Sequence, residues 1–140
     1  MPVPPDPTSA EAYAIARRLH EAAEDSRLAF EAIASDHGLT APQARLVLRL
    51  FEPTAMKDLA EHLGCDKSNV TGIAERLTAR GFVAAEPGPD RRVKLLQLTT
   101  AGLAIRAAVQ HQVAATSPAL TRLSEVERRT LVRLLDKLRV

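Results

Sequence analysis

Small hydrogen-bonding side chains cluster in one short stretch of the sequence, at Ser68, Asn69 and Thr71. Apolar residues of the same stretch recur every three or four positions, at Val70, Ile73, Ala74 and Leu77. This spacing predicts a helix with one stripe against a core, so the polar side chains face outward near the helix start. Hydroxyl and amide groups there can hydrogen-bond to base edges in the DNA major groove; the alternative is an ordinary polar surface.

The outward face of this helix supplies the first set of candidate DNA contacts. They are Lys67, Ser68, Asn69, Thr71, Gly72 and Arg76. Gly72 costs roughly 1 kcal/mol of helix stability relative to alanine. Either it lets the backbone approach DNA or leaves room for a thymine methyl group, or it is a tolerated surface residue. The basic residues that either neutralise phosphates or form a solvated charged face are Lys57, Lys67, Arg76, Arg80 and Lys94.

A second set of candidate contacts lies between two short apolar runs, 82–87 and 93–99. The Pro, Gly and Asp residues between the runs predict a β-hairpin with an exposed tip. The candidate contacts of the tip are Asp90, Arg91, Arg92 and Lys94. Adjacent arginines suit the minor groove, where the negative potential is strongest. Arg92 could instead form a salt bridge with Asp90, although an exposed pair stabilises a fold by under about 1 kcal/mol.

A helix-turn-helix would position the first set of residues. Leu59 and Leu63 are predicted to form the buried side of the preceding helix, and Gly64 breaks the chain after it. Gly81 can supply the left-handed residue that ends the second helix. Asp66 or Ser68 can cap the start of that helix. The hairpin that follows would then be a wing beside the groove-contacting helix.

Several short motifs occur together over roughly residues 55 to 103. They are Asp58-Leu59-Ala60, Asp66-Lys67-Ser68, Val70-Thr71, Arg76-Leu77, Arg80-Gly81, Asp90-x-Arg92, Leu98-Thr99 and Ala101-Gly102. The combination resembles the MarR (multiple antibiotic resistance regulator) family of winged helix-turn-helix repressors. The resemblance implies a dimer that binds palindromic DNA and often releases it when a small phenolic or lipophilic molecule binds. Position 72, often arginine in such proteins, is glycine here.

Between the first helix and the helix-turn-helix, a short helix is predicted. Thr40 and Gln43 have the spacing of a capping box at its start. Leu50 and Phe51 are predicted to face inward at its end, and Thr54 to cap the next helix.

Long helices are predicted on both sides of the winged region. Thr8 and Glu11 have capping-box spacing, and the helix they begin should extend to about Ser35. Its predicted core stripe is Ile15, Leu19, Ala22, Ser26, Phe30 and Ile33. After the wing, Thr99 or Thr100 caps a helix, and Ser124 with Glu127 begins a last one. The apolar side of the last helix is Leu131, Leu134, Leu135 and Leu138.

So long a first helix cannot bury all its apolar area within a chain of 140 residues, so pairing with a second copy is expected. The predicted fold is mainly α, a winged helix-turn-helix with a small β-hairpin wing and flanking helices that form a dimerisation platform. We expect one domain over residues 1–140. Within it, 1–36 and 100–140 would form the helical dimerisation region, and 40–99 the DNA-binding region.

Charge and composition limit the class of partner. Residues 1 to 40 carry three basic and seven acidic side chains, a net charge of −4. The whole chain carries +2, so the remaining residues carry a net charge of +6. A basic body favours a polyanionic partner. The single cysteine, Cys65, is predicted to be a buried structural thiol in a reducing cytoplasm, and no segment predicts a membrane span or signal peptide.

No pattern predicts an enzyme, cofactor or metal site. The histidines lie far apart in the sequence, and no phosphate loop, nucleophile elbow or zinc motif is present. We therefore expect a sequence-specific regulator of transcription, a repressor released by a small effector. The effector would meet Arg17 and His20 on the first helix. The alternative is a winged-helix module that binds DNA without sequence preference, or a protein-interaction dimer.

Overall fold

The computed structural model describes residues 1–4 and 6–139. In this part of the chain, seven helices accompany a three-stranded antiparallel sheet of order β1-β3-β2. The elements are α1 (Pro7–Asp36), α2 (Ala41–Arg49), β1 (Thr54–Ala55), α3 (Met56–Leu63), α4 (Lys67–Ala79), β2 (Val83–Pro87), β3 (Lys94–Leu98), α5 (Thr100–Thr116), α6 (Pro118–Arg122) and α7 (Glu125–Leu138). The predicted fold class is confirmed: α3 and α4 form the helix-turn-helix and β2 and β3 the wing.

The core lies between α2, α3, α4, α5, the sheet and one end of α1. The predicted inward stripe of α4 is confirmed. Its members are at most 6% exposed: Val70, Ile73, Ala74 and Leu77. Gly64 at the end of α3 and Gly81 after α4 both have positive φ, 62° and 79°. The left-handed conformation was predicted for Gly81, and the break in the chain for Gly64. The turns on either side of α4 are therefore fixed by backbone conformations that glycine adopts without strain.

Three helix starts carry the predicted side-chain caps. Thr40 accepts a hydrogen bond from the backbone N–H of Gln43, whose side chain bonds back, and Ser124 and Glu127 form the same capping box. Thr99 accepts from the backbone N–H of Gly102 at the start of α5. The predicted capping box of α1 is wrong, because the helix begins earlier, at Pro7, with no side-chain cap. Pro5, in the proline-rich start, lies outside the described residues.

Two predictions at the end of α2 are wrong. Phe51 is 71% exposed because α2 ends at Arg49, so the helical periodicity that placed it inward stops before it. Thr54 does not cap α3, since Ala55 takes that position; Thr54 instead pairs with Leu96 in β1, a strand that the sequence did not indicate.

The flanking helices leave apolar faces uncovered. On α1, Phe30 and Ile33 pack against the core, but Ile15 and Leu19 are 51% and 40% exposed, so the predicted core stripe is only partly in the core. No described residue of α7 is buried. Its leucines are 38–59% exposed: Leu131, Leu134, Leu135 and Leu138.

Candidate nucleic-acid interface

The outward face of α4 is a set of small polar and basic side chains. Lys67, Ser68, Asn69 and Arg76 are exposed, and Thr71 is half-buried. Within the described residues, no protein hydrogen bond engages the side chains of Ser68, Asn69 or Arg76. Thr71 donates its hydroxyl hydrogen to the carbonyl of Lys67 at 2.8 Å, which leaves its oxygen lone pairs as acceptors. These groups can therefore exchange water for base edges without breaking the fold.

The start of α4 lacks a side-chain cap. Asp66 has the N-cap position, but its carboxylate makes no capping hydrogen bond, and Ser68 lies within the helix. Of the two candidate caps, Asp66 therefore has the predicted position but not the predicted hydrogen bond.

Gly72 faces open space. A Cβ atom added there would meet nothing within 4 Å in the protein, and its φ is not positive. Neither packing within the chain nor backbone conformation requires glycine at this position. Glycine at position 72 is therefore either needed for contact with another molecule or is a tolerated surface residue.

The wing turns tightly at its tip. The Asp90 carboxylate accepts a hydrogen bond from the backbone N–H of Arg92 at 3.1 Å, and the Asp90 carbonyl accepts from Val93 N–H at 2.9 Å. The ion pairs in the described part of the chain all lie within helices, so Arg92 and Asp90 form no salt bridge. Asp90 therefore shapes the backbone, and the exposed Arg91, Arg92 and Lys94 remain available to a ligand.

Arg80 differs from the other basic residues of the region. Its guanidinium donates a hydrogen bond to the carbonyl of Gly38 and lies 5.0 Å from the centre of the Phe82 ring. The sequence placed Arg80 among the candidate phosphate contacts. Its partner, Gly38, lies 42 positions away in the sequence, and so distant a contact leaves no local pattern. The neighbouring Phe82 was the one local sign in the sequence that the Arg80 side chain could pack against the protein.

The predicted effector residues lie on the exposed part of α1. Arg17 is paired with Glu21 at 2.7 Å, and His20 is exposed. Neither lines the small cavity of about 100 Å³ at the boundary between the wing and α5. That cavity is lined by Leu50, Phe51, Glu52, Pro53, Gln97, Leu98 and Leu103.

The polar face of α1 is strongly acidic. Arg27 is held between Glu24 and Glu31 at 2.6 Å and 2.5 Å. The hydrogen bond from Arg27 lowers the pKa of the exposed Glu24 carboxyl below its usual value. A negatively charged surface of this kind repels polyanions.

Cys65 is half-buried, less than the sequence predicted; it packs against the core, and its thiol donates to the carbonyl of Leu63 at 3.5 Å. No three His, Cys, Asp or Glu side chains of the described residues are grouped so that they could hold a metal ion. In the same part of the chain, no helix has both the length and the apolarity needed to cross a membrane.

Comparison with known proteins identifies this arrangement. Residues 39–94, which run from α2 to the first residue of β3, match the model of the MarR family. Over these residues the chain is similar to the MarR family. Members of that family are transcriptional regulators and not enzymes, which agrees with the prediction of a regulator without enzyme activity. No curated protein matches the chain.

Solved MarR-family structures match nearly the whole chain. The apo form of MarR from E. coli is 28% identical, with 88% of this chain and 94% of that chain covered and a TM-score of 0.73. A MarR mutant from E. coli complexed with operator DNA is 28% identical over 91% and 95% of the two chains, with a TM-score of 0.75. BpsR of Bordetella bronchiseptica, whose DNA binding is regulated by 6-hydroxynicotinic acid, is 28% identical over 89% and 91%, with a TM-score of 0.73.

Proposed function

We propose that this protein is a MarR-family regulator, a homodimeric repressor that binds a near-palindromic operator and leaves it when a small effector binds. α4 would enter the major groove and the wing the adjacent minor groove. The proposed contacts are Lys67, Ser68, Asn69, Thr71, Gly72 and Arg76 on α4, and Arg91, Arg92 and Lys94 on the wing, with Asp90 shaping its tip. The observation that carries the proposal is the uncommitted polar face of α4, whose opposite side is fully packed.

Charge supports the same placement. The exposed lysines and arginines of α4 and the wing can each displace counterions from a phosphate, which supplies affinity, whereas the neutral Ser68 and Asn69 can supply sequence preference. The E. coli relative that is complexed with operator DNA supports this assignment for the matching fold. A regulator of this kind would act in the cytoplasm, where we expect its DNA to be.

The dimer is argued from the uncovered apolar faces of α1 and α7. Four leucines of α7 lie on one side of the helix and remain more than a third exposed, as do Ile15 and Leu19 of α1. Helix faces with this much exposed apolar surface mark an interface more often than a free surface. A second copy would cover it and place two recognition helices about one helical turn of DNA apart.

The effector is proposed to be a small aromatic or lipophilic molecule bound between the flanking helices and the winged region. The BpsR relative, which responds to 6-hydroxynicotinic acid, supports a small aromatic acid as the class to test first. Arg17 and His20 remain the proposed effector contacts on α1. Binding there would shift the population of spacings between the two recognition helices.

The deciding experiment is a binding titration with two duplexes, the DNA upstream of the protein's own gene and a scrambled duplex of equal composition, each at two salt concentrations. A specific regulator binds the natural fragment at least about 10³-fold more tightly at physiological salt. The double variant Ser68→Ala, Asn69→Ala should lose this preference. Arg133→Gln, which removes an exposed charge from α7, serves as the matched control and should keep it.

Equal and steeply salt-dependent binding to both duplexes would favour the alternative, a winged-helix module that binds DNA without sequence preference. If a duplex selected from random sequences also shows no preference, specific regulation is contradicted. Binding to neither duplex would favour the protein-interaction dimer.

A further inference from the structure

Arg80 is the last residue before Gly81 turns the chain out of α4, and its side chain leaves the helix toward the end of α1. Its Nη1 donates to the carbonyl of Gly38, which follows His37, the C-cap residue of α1. A hydrogen bond from a charged guanidinium to a carbonyl is stronger than one between neutral groups. The contact thus joins the end of the recognition helix to the end of the longest helix.

Two further features hold Arg80 in this position. The guanidinium lies over the ring of Phe82 at 5.0 Å, a cation–π geometry that fixes the plane of the group. Gly38 has φ 68°, and a Cβ atom there would come within 3.2 Å of Nη2 of Arg80. The glycine therefore both makes the turn and leaves room for the arginine.

The end of α1 is in turn tied to α5. The amide nitrogen of Gln112 donates to the Asp36 carboxylate at 2.7 Å, and its amide oxygen lies 2.7 Å from Nε2 of His37. Contacts thus run without interruption from α5 through residues 36–38 to Arg80.

We propose that Arg80 is a positioning residue for DNA recognition: it sets the angle of α4 against the flanking helices and does not neutralise a phosphate. This inference rests on the proposed function, in which α4 contacts the operator. Base contacts depend on side chains being held to a fraction of an ångström, whereas phosphate contacts are tolerant of small shifts. Losing the Arg80 contacts should therefore weaken binding to the operator and leave binding to random DNA unchanged.

Arg80→Lys and Arg80→Gln separate positioning from phosphate binding. Lysine keeps the charge that a phosphate needs but has neither the planar fork nor the flat face that stacks on Phe82. Positioning predicts that both variants bind the operator about tenfold more weakly, with the same salt slope as the parent protein. Arg76→Gln, one turn earlier on the exposed side of α4, is the matched control and should reduce the magnitude of the slope of log K against log salt concentration by about 1.

The proposal is overturned if Arg80→Lys binds like the parent while Arg80→Gln lowers the salt slope, because that pair of results marks a phosphate contact. It is also overturned if both variants bind the operator normally. The fold of each variant is checked by urea unfolding, and if Arg80→Gln unfolds, Phe82→Leu replaces it, since leucine keeps the apolar packing but not the ring. The parent protein's own preference for the operator tests the proposed function separately.

Discussion

Gly102 of α5 is pressed against the carbonyl group of Phe82: a Cβ atom at residue 102 would lie 2.0 Å from that oxygen. The contact joins the first turn of α5 to the segment that leads from α4 into the wing. Thr99, the cap of α5, also donates its hydroxyl to the carbonyl of Gly81 in the same segment. The start of α5 is therefore held against the segment that follows α4.

Gly102→Ala should lower the free energy of unfolding by about 1–3 kcal/mol, because a backbone oxygen cannot move aside as a flexible side chain would. The measurement is the free energy of unfolding in urea. Gly72→Ala is the matched control, since its new methyl group meets only open space. A Gly102→Ala protein as stable as the parent would contradict the close packing of α5 on Phe82.

Gly72→Ala itself separates the two explanations of this glycine. It should stabilise the isolated protein by roughly 1 kcal/mol, because alanine is the better helix former. If the glycine lets the backbone approach DNA, as we propose, the same change weakens operator binding. Urea unfolding measures the first effect and a DNA titration the second. A more stable protein with unchanged operator affinity would show that close approach is not the reason for the glycine.

The sequence predicted the parts of the fold that depend on local patterns. The stripe of α4, the glycine turns and the Thr40–Gln43 box follow from spacing and propensity alone, and the structure has them all. Phe51 was misplaced because periodicity does not specify where a helix ends. β1 was missed because a two-residue strand has no period of its own and exists only by pairing with β3.

The same limit applies to the candidate interface. The polar face of α4 and the wing arginines were visible in the sequence because their types and spacing are local. The role of Arg80 was not, since it depends on contacts with Gly38 and on the link through Gln112, which lie far away along the chain.

The wing arginines should contribute affinity and not stability. Arg91→Gln with Arg92→Gln removes two charges and leaves the turn intact, because Asp90 bonds to the backbone N–H of residue 92. The salt slope for operator binding should therefore fall in magnitude by about 2, and the urea midpoint should stay unchanged. The control is Asp90→Ala, which should lower stability slightly while keeping both charges. An unchanged slope in the double variant would place the wing away from DNA.

Gln112→Ala should destabilise the fold by about 1 kcal/mol, because it removes one bond to a carboxylate and one to a histidine at a partly exposed site. Gln110→Ala is the matched control: it lies on the same helix, is exposed, and makes no side-chain hydrogen bond to the described residues. Urea unfolding of the two variants gives the difference. Equal stabilities would mean that the link between α5 and the end of α1 contributes nothing measurable.

Leu134→Glu tests the proposed dimer. Leu134 is 47% exposed in one copy, so a charge there costs the isolated chain little, but it would be buried without a partner in an apolar interface. We expect the variant to sediment as a folded monomer where the parent is a dimer. Because each copy would then hold only one half-site, operator affinity should fall by roughly a hundredfold or more.

Arg133→Glu places the same charge on the polar face of α7 and is the control for this variant. It should remain dimeric, because its position is about 100° or more around the helix from most of the leucines. A Leu134→Glu protein that stays dimeric, or a parent protein that is monomeric at micromolar concentration, would contradict α7 as part of the interface. Loss of the dimer without loss of operator affinity would instead contradict the two-fold arrangement of the recognition helices.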